Sequence, residues 1–167
     1  MNSKNLEKIF LSKILVEKIR EGTVSFRKCI DILTPFPKEN ERVINCLLEN
    51  GYISKTGDTI DITEKGRKRL KVVMCGGTFD ILHPGHLLIL TSAKKLGDIL
   101  VVVIATDETV KRFRKKEPYN DERKRLELVS SLRFVDLALL GGKSNIYDTL
   151  LKIMPDIVVL GYDQLHN

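Results

Sequence analysis

The chain has 167 residues, of which 43% are apolar and 30% charged, and its formal net charge is +6. This composition predicts a globular protein with packed cores and excludes disordered and fibrous classes. The sequence contains no run of eighteen apolar residues and begins without an uninterrupted apolar stretch, so we expect a cytoplasmic protein with no membrane partner. The three cysteines are dispersed among apolar residues, as buried, reduced thiols are.

Residues 1–68 are expected to form a small, mostly helical domain. Apolar residues recur at helical spacing in three stretches, and the segment TPFP separates the second stretch from the third. After Asn50-Gly51, a pair typical of helix ends, polar and apolar residues alternate around Thr56-Gly57-Asp58, as they do in a hairpin. Three helices followed by a hairpin resemble a winged helix.

A winged helix often binds DNA, and residues 1–68 carry a small excess of basic side chains. The helix that would enter a groove offers Lys38 and Arg42 but also three glutamates, which phosphates repel. The sequence therefore leaves two interpretations open for this domain. One is weak, mostly electrostatic binding to DNA, and the other is a structural or protein-binding role.

Residues 69–167 have a different pattern, in which short β-branched runs alternate with helical stretches. The runs are LKVVMC, ILVVVIA, FVDLALL and DIVVLG, and all four are apolar enough to be buried on both faces. They predict an α/β domain with a Rossmann-like parallel sheet and helices on both faces. The carboxyl ends of such strands meet at one edge, where these sheets bind ligands.

The stretch GGTFDILHPGH follows the first run and contains two of the three histidines of the chain, His83 and His86. Gly76 and Gly77 allow a backbone to approach a bulky anion, and Pro84 suits the start of a helix. The amino end of that helix would present free N–H groups and its positive dipole end, which favours anion binding. Acid–base catalysis by one histidine, metal binding by both, and burial in a core are the alternatives.

The same stretch resembles the first signature of the nucleotidylyltransferase superfamily, whose His-x-Gly-His element corresponds to His83–His86. The form T-F-D-x-x-H-x-G-H is typical of the cytidylyltransferase-like branch, which includes glycerol-3-phosphate cytidylyltransferases, heptose-phosphate nucleotidyltransferases and archaeal FAD synthases. The segments ATDETVKRFRKKEPYNDERKRLELV and PDIVVLGYDQ are also similar to this branch, and the second is most similar to archaeal FAD synthases.

This resemblance implies a reaction and its substrates. A substrate phosphate attacks the α-phosphorus of a nucleoside triphosphate, and pyrophosphate leaves without a covalent enzyme intermediate. The favoured pair is ATP and FMN, giving FAD. The alternatives are a CTP-dependent cytidylyltransferase acting on glycerol 3-phosphate or a sugar phosphate, and a DNA-binding regulator with a nucleotide-sensing transferase-like domain. Mg²⁺ would be bound mainly through the triphosphate, with no protein metal ligands assigned, and a homodimer is left open.

The resemblance also assigns site residues. His83 and His86 would donate hydrogen bonds to phosphate oxygens, and Arg123, in the pair Glu122-Arg123, would clamp the triphosphate. The candidates for nucleotide binding are Gly76, Gly77, Thr78, Phe79, Asp80, His83, Gly85, His86, Lys111, Arg114, Lys115 and Asp163. The family usually adds another strand and a Ser/Thr-rich motif, so we expect residues 69–167 to lack the carboxyl-terminal segment of such a domain.

Overall fold

The computed structural model describes residues 3–33, 35–142 and 146–161 and divides the chain into two compact units between Leu70 and Lys71. The elements of the first unit, in chain order, are α1 (Ser3–Glu21), β1 (Val24–Ser25), α2 (Phe26–Leu33), α3 (Pro37–Glu49), β2 (Ile53–Thr56), β3 (Thr59–Ile62) and α4 (Glu64–Arg67). Its three strands form an antiparallel sheet in the order β1-β3-β2.

The three main helices of this unit pack around a common apolar core that includes Phe10, Leu11 and Leu47, each at most 1% exposed. Helix α3 ends at Glu49 and is capped by Asn50, and Gly51 follows with φ +66°, a conformation that favours glycine. The helices and the hairpin lie where periodicity predicts them. Periodicity could not reveal β1, because two residues carry no pattern. The identification of this unit as a winged helix stays a prediction.

The second unit is built around a parallel sheet with the strand order β6-β5-β4-β7. Its elements, in chain order, are β4 (Val72–Gly77), α5 (Pro84–Lys94), β5 (Ile99–Ile104), α6 (Asp107–Arg114), α7 (Glu122–Ser130), β6 (Leu137–Leu140), α8 (Ile146–Ile153) and β7 (Ile157–Val159). Four parallel strands flanked by helices form the Rossmann-like α/β arrangement that the sequence predicts.

The core of this unit lies on the central strands, and residues 72–75 of β4 and 99–102 of β5 are all at most 3% exposed. Leu90 and Ala93 of α5 and Val129 of α7 pack in one apolar cluster with alternate residues of these strands. The expectation that all four strands are buried on both faces is wrong for the two edge strands. Residues 138–140 of β6 and 157–159 of β7 are only partly buried or exposed, and Val158 is 44% exposed.

Three aspartates bind the amino-terminal ends of the strands together. The carboxylate of Asp156 accepts the N–H of Val72 at 2.6 Å, and that of Asp136 accepts the N–H of Leu100 at 2.6 Å. Asp98 accepts the N–H of Lys71 in the same way. At this edge, backbone N–H groups are therefore bonded to side chains of the protein. The polar loops lie at the opposite, carboxyl edge. In the part of the chain that the structure describes, no helix has both the length and the apolar content needed to span a bilayer.

Candidate active site

The loop from β4 to α5 ends at His83, which caps the amino end of α5. Its Nδ1 atom accepts the N–H of Gly85 at 3.2 Å. Since an imidazole nitrogen that accepts a hydrogen bond carries no hydrogen, we assign the ring hydrogen to Nε2. The cap thus leaves His83 with one hydrogen-bond donor, and its exposed side chain can offer that donor to a ligand.

His86 lies in the first turn of the same helix and contacts two rings. The centroid of its ring is 4.0 Å from that of His83 and 5.3 Å from that of Phe79. Phe79 is 3% exposed and belongs to the apolar cluster of the sheet. The structure therefore brings the two predicted histidines together, and the buried ring of Phe79 packs against His86.

Two glycines make room for these rings. A Cβ atom at Gly85 would lie 2.9 Å from Cε1 of His83, and one at Gly77 would lie 2.8 Å from Cε2 of Phe79. Both distances are shorter than real Cβ contacts allow, so a side chain at either position must displace a ring. A Cβ at Gly76 would come no closer than 3.9 Å to the oxygen of Val103, and sterics therefore do not require this glycine.

Phe79 itself has an unusual backbone conformation, with φ +51°. The left-handed region costs a bulky residue about 1–3 kcal/mol, and such a conformation persists only when the surroundings enforce it. The loop that carries the histidines must therefore be held by contacts from outside. Two such contacts are present, one at Asp80 and one at Thr78.

Asp80 binds the segment between α6 and α7. Its two carboxylate oxygens accept the N–H groups of Tyr119 at 2.7 Å and Asn120 at 2.8 Å, and its own carbonyl accepts the side chain of Asn120. Burial works to raise the pKa of this carboxyl, but the N–H donors of Tyr119 and Asn120, the charge of Arg125 and the Asn120 side chain together outweigh that effect, and the pKa is lowered. This geometry supports a role of Asp80 in orienting the loop.

Thr78 is held by Arg125, a buried residue of α7 that is 1% exposed. The guanidinium donates to the carbonyl of Thr78 at 2.7 Å, to that of Asn120 at 3.0 Å and to the carboxylate of Asp107 at 2.6 Å. Arg125 is not among the residues predicted from the sequence, which include Arg123 two positions earlier. The sequence contains one signal for Arg125, which precedes the apolar Val129 and Leu132 by four and seven residues. This spacing places it on the buried side of the helix, where a charged residue must find buried partners.

The amino ends of α6 and α7 are joined to each other. The N–H of Asp107 donates to the carboxylate of Glu122 at 2.8 Å, and the N–H of Glu122 donates to that of Asp107 at 3.3 Å. Glu122 is thus occupied in holding α6. Arg123 lies beside it with an exposed side chain, and its proposed contact with a triphosphate stays a prediction.

The three remaining basic candidates lie along α6 and directly after it. Lys111, Arg114 and Lys115 follow the first residue of α6 by about 6–12 Å along its axis, and all three are exposed. Lys111 forms a salt bridge with Glu117 at 2.8 Å, and this hydrogen bond raises the pKa of the lysine. The proposed contact of these three residues with a triphosphate stays a prediction. Asp163, the remaining candidate, lies outside the described residues.

The backbone at the head of α5 corrects another expectation. The N–H of Gly85 donates to the imidazole of His83, and the N–H groups of His86 and Leu87 donate to the carbonyl of His83 at 2.9 and 3.3 Å. These N–H groups are therefore not free to bind an anion. The attraction of this helix end for phosphate depends instead on the helix dipole and on the histidine side chains.

A cavity of about 380 Å³ opens beside this network. It is lined by Asp80, Asn120, Lys124, Arg125, Glu127, Leu128 and Ser131, and neither histidine belongs to its lining. The cavity is therefore adjacent to the histidine loop without being part of it.

The described residues do not form a metal cage. Within residues 3–33, 35–142 and 146–161, no group of three or more histidine, cysteine, aspartate or glutamate side chains is arranged to hold a metal ion. Both oxygens of Asp80, the carboxylate next to the histidines in sequence, already accept N–H groups.

Fold and loop together define a Rossmann-like α/β unit whose paired histidines lie where parallel sheets bind ligands. The family model described as cytidylyltransferase-like matches residues 74–167, and the chain belongs to this family within the nucleotidyltransferase superfamily.

Similar proteins agree with this assignment. The chain is 50% identical over 95 residues to a protein of Picrophilus torridus named FAD synthase, and the match covers 57% of this chain and 68% of the relative. A protein of the same name from Aciduliprofundum boonei is 54% identical over 92 residues, which cover 55% of this chain and 61% of that relative. The chain thus spans about two thirds of the length of these two archaeal relatives.

One solved structure is also similar, a lipopolysaccharide core biosynthesis protein from Thermoplasma volcanium. It is 48% identical with a TM-score of 0.56, and the match covers 59% of this chain and 80% of that one. The α/β architecture of the second unit is therefore shared with a protein of known structure.

Proposed function

We propose that the α/β unit transfers a nucleotidyl group from a nucleoside triphosphate to a phosphorylated acceptor, with ATP and FMN as substrates and FAD and pyrophosphate as products. The observation that carries this proposal is the pair of adjacent imidazoles, with ring centroids 4.0 Å apart, at the head of α5 on the carboxyl edge of the sheet. The proteins named FAD synthase, about 50% identical over this unit, support the choice of substrates.

The proposed reaction is a single displacement. An oxygen of the FMN phosphate forms a bond to the α-phosphorus of ATP, and the bond from that phosphorus to the bridging oxygen breaks as pyrophosphate leaves. Negative charge on the phosphoryl oxygens must then be stabilised. The Nε2–H of His83 is the donor that its cap leaves available, and His86 is held beside it by Phe79. Mg²⁺ is proposed to arrive with the triphosphate, whose oxygens supply its ligands.

For the first unit we propose a winged helix with at most weak, electrostatic contact to DNA. Many of its basic side chains already pair with carboxylates of the same unit. These are Lys18 with Asp61, Arg20 with Glu17, Lys28 with Glu17 and Glu21, Lys68 with Glu64, and Arg69 with Glu7. Since paired cations release fewer counterions from DNA, we expect low affinity with a shallow salt dependence.

The proposed reaction is tested by incubating the chain with Mg²⁺ and each substrate pair, and by quantifying dinucleotide and pyrophosphate chromatographically. We expect ATP with FMN to yield FAD and pyrophosphate in equal amounts. We expect His83→Ala and His86→Ala to lower turnover by about a hundredfold or more, as loss of one preorganised donor does. Ser92→Ala, an exposed change on the same helix, is the control and should retain wild-type turnover.

Other outcomes distinguish the alternatives. Pyrophosphate release from CTP with glycerol 3-phosphate, and none from ATP with FMN, identifies a cytidylyltransferase. Release from neither pair, with a nucleotide-dependent rise in melting temperature, supports the nucleotide-sensing regulator. Full turnover in either histidine variant removes that histidine from the proposed mechanism.

A further inference from the structure

We propose that Arg125 is a positioning residue that fixes the orientation of the Thr78–Phe79 peptide and thereby the loop that carries His83 and His86. This inference rests on the proposed function, in which that loop stabilises the transition state. Arg125 itself touches no reacting atom in this proposal, because its guanidinium is 1% exposed and bound by three protein acceptors.

The peptide plane between Thr78 and Phe79 links the guanidinium to the unusual backbone angle. The carbonyl of Thr78 and the φ angle of Phe79 belong to the same peptide unit, so a rotation of that unit moves both. The carbonyl accepts the Nη1 hydrogen of Arg125 at 2.7 Å, and φ of Phe79 is +51°. A flip to the favoured negative φ would therefore turn the carbonyl away from the guanidinium and break this bond.

The orientation of this peptide matters for the histidines because of the ring of Phe79. That ring lies 5.3 Å from the ring of His86, and Gly77 provides the space that it occupies. A change of φ at Phe79 that is not cancelled by an opposite rotation at Thr78 would redirect the backbone and would move the ring. The imidazole of His86 would then lose its support, and His83, 4.0 Å away, would lose its neighbour.

The chemistry of the guanidinium explains why arginine occupies this position. Its acceptors come from three segments, the loop after β4 (Thr78), the start of α6 (Asp107) and the segment before α7 (Asn120). A planar fork with five N–H donors can serve all three directions at once. A lysine keeps the charge and can pair with Asp107, but a single ammonium cannot reproduce this geometry.

The test compares Arg125→Lys with Val129→Ala in the full chain. Val129 is fully buried one turn later on α7, so its truncation destabilises the same helix without touching Thr78. Four quantities are measured for each variant: kcat and KM with ATP and FMN, the circular dichroism signal, and the intensity of the NMR cross-peak between the amide and α hydrogens of Phe79. That cross-peak is strong when φ is positive, because the two hydrogens then lie close together.

We expect Arg125→Lys to remain folded, to lose the strong cross-peak and to lower kcat by about tenfold to a hundredfold, with a smaller change in KM for ATP. Val129→Ala should keep the cross-peak and keep kcat within about twofold of the wild type. A strong cross-peak in Arg125→Lys, or a kcat equal to that of Val129→Ala, overturns the proposal.

If Arg125→Lys does not fold, the same measurements are made on Asp107→Asn, which weakens one of the three bonds. A smaller decrease of kcat together with a weaker cross-peak supports the proposal there, and unchanged values overturn it. If the wild-type chain forms no FAD, the proposed function fails by itself. The cross-peak, which needs no substrate, then still decides whether Arg125 fixes the peptide.

Discussion

The two ring nitrogens of His83 have separate tasks. Nδ1 accepts the N–H of Gly85 and caps α5, while Nε2 is left to donate to a ligand. The sequence could predict that a histidine stands before this helix, because Pro84 and Gly85 mark its start. It could not predict which nitrogen faces the helix, since this depends on the side-chain rotamer.

A pair of substitutions separates these tasks. An asparagine at this position retains an acceptor for the Gly85 N–H but lacks the Nε2 donor, whereas alanine lacks both. We expect His83→Asn and His83→Ala to lower turnover equally. We expect only His83→Ala to lower the free energy of unfolding, by roughly 0.5–2 kcal/mol, the usual cost of losing a cap. Urea denaturation and the FAD assay measure the two effects. Wild-type turnover in His83→Asn would contradict the donor role of Nε2.

Gly85 permits a second prediction at this scale. The added Cβ of Gly85→Ala would lie 2.9 Å from the His83 ring, which must move. Alanine is the better helix residue by up to about 1 kcal/mol, but displacing the ring loses the cap at a cost of roughly 0.5–2 kcal/mol, so we expect a small net decrease in melting temperature together with a decrease in turnover of about tenfold or more. Ser92→Ala controls for the helix. A variant with lower stability and normal turnover would show that the His83 ring is not the group displaced.

At the scale of elements, the segment from Lys115 to Asp121 is the part of the second unit that connects the loops of the carboxyl edge. Asp80 holds its backbone at two N–H groups, and Arg125 holds it at the carbonyl of Asn120. A segment that would otherwise be a free connection between α6 and α7 is thereby tied to the loop of the histidines.

Asp80→Asn tests this connection. The amide would place an NH2 group against the N–H of Tyr119 or Asn120, so one of the two bonds is lost. We expect faster hydrogen exchange at these two amides and no change in the strands. Glu117→Gln, which affects only an exposed salt bridge with Lys111, is the control. Equal exchange in Asp80→Asn and wild type would show that the segment is held by other contacts.

The dependence on pH follows from the same carboxylate. Its pKa is lower in the folded chain than the ordinary 3.8, so its contribution to stability is present above pH 3.8 and is lost as the pH falls through the folded value. We therefore expect the protection of the Tyr119 and Asn120 amides to persist at pH 4 in the wild type. It should be weak at every pH in Asp80→Asn.

The helices and strands could be predicted well from periodicity, because both units bury regular apolar faces. The histidine pair could be predicted from its motif. The network around Arg125 could not, since its acceptors, Thr78, Asp107 and Asn120, are dispersed over 43 positions and two of them act through backbone carbonyls. A backbone carbonyl is the same in every residue and leaves no trace in the sequence.

At the scale of the whole molecule, the chain divides into two units between Leu70 and Lys71. The neighbours of β4 in the sheet are β5 and β7, both from the second unit. The backbone of Lys71 is bonded to Asp98 and Ile99 of that unit as well. The second unit thus contains the partners that its first strand needs.

We therefore expect residues 69–167 to fold without residues 1–68 and to bind nucleotide as the full chain does. The measurement is the rise in melting temperature with ATP and Mg²⁺, which depends on ligand concentration and Kd. The rise should be equal in the two chains. Loss of the rise on deletion, while the full chain retains it, would show that the boundary is misplaced.

The position of β4 between β5 and β7 also has a consequence for folding during synthesis on the ribosome. The bond between Val72 and Asp156 joins residues 84 positions apart, whereas the first unit is complete once residue 70 has emerged. Strand β4 can pair with β7, its second neighbour, only after residues 157–159 have been synthesised. Pairing over such distances is slow, and until then an apolar strand edge stays open to other chains. During synthesis, this unit is therefore the part of the protein that depends most on protection from aggregation.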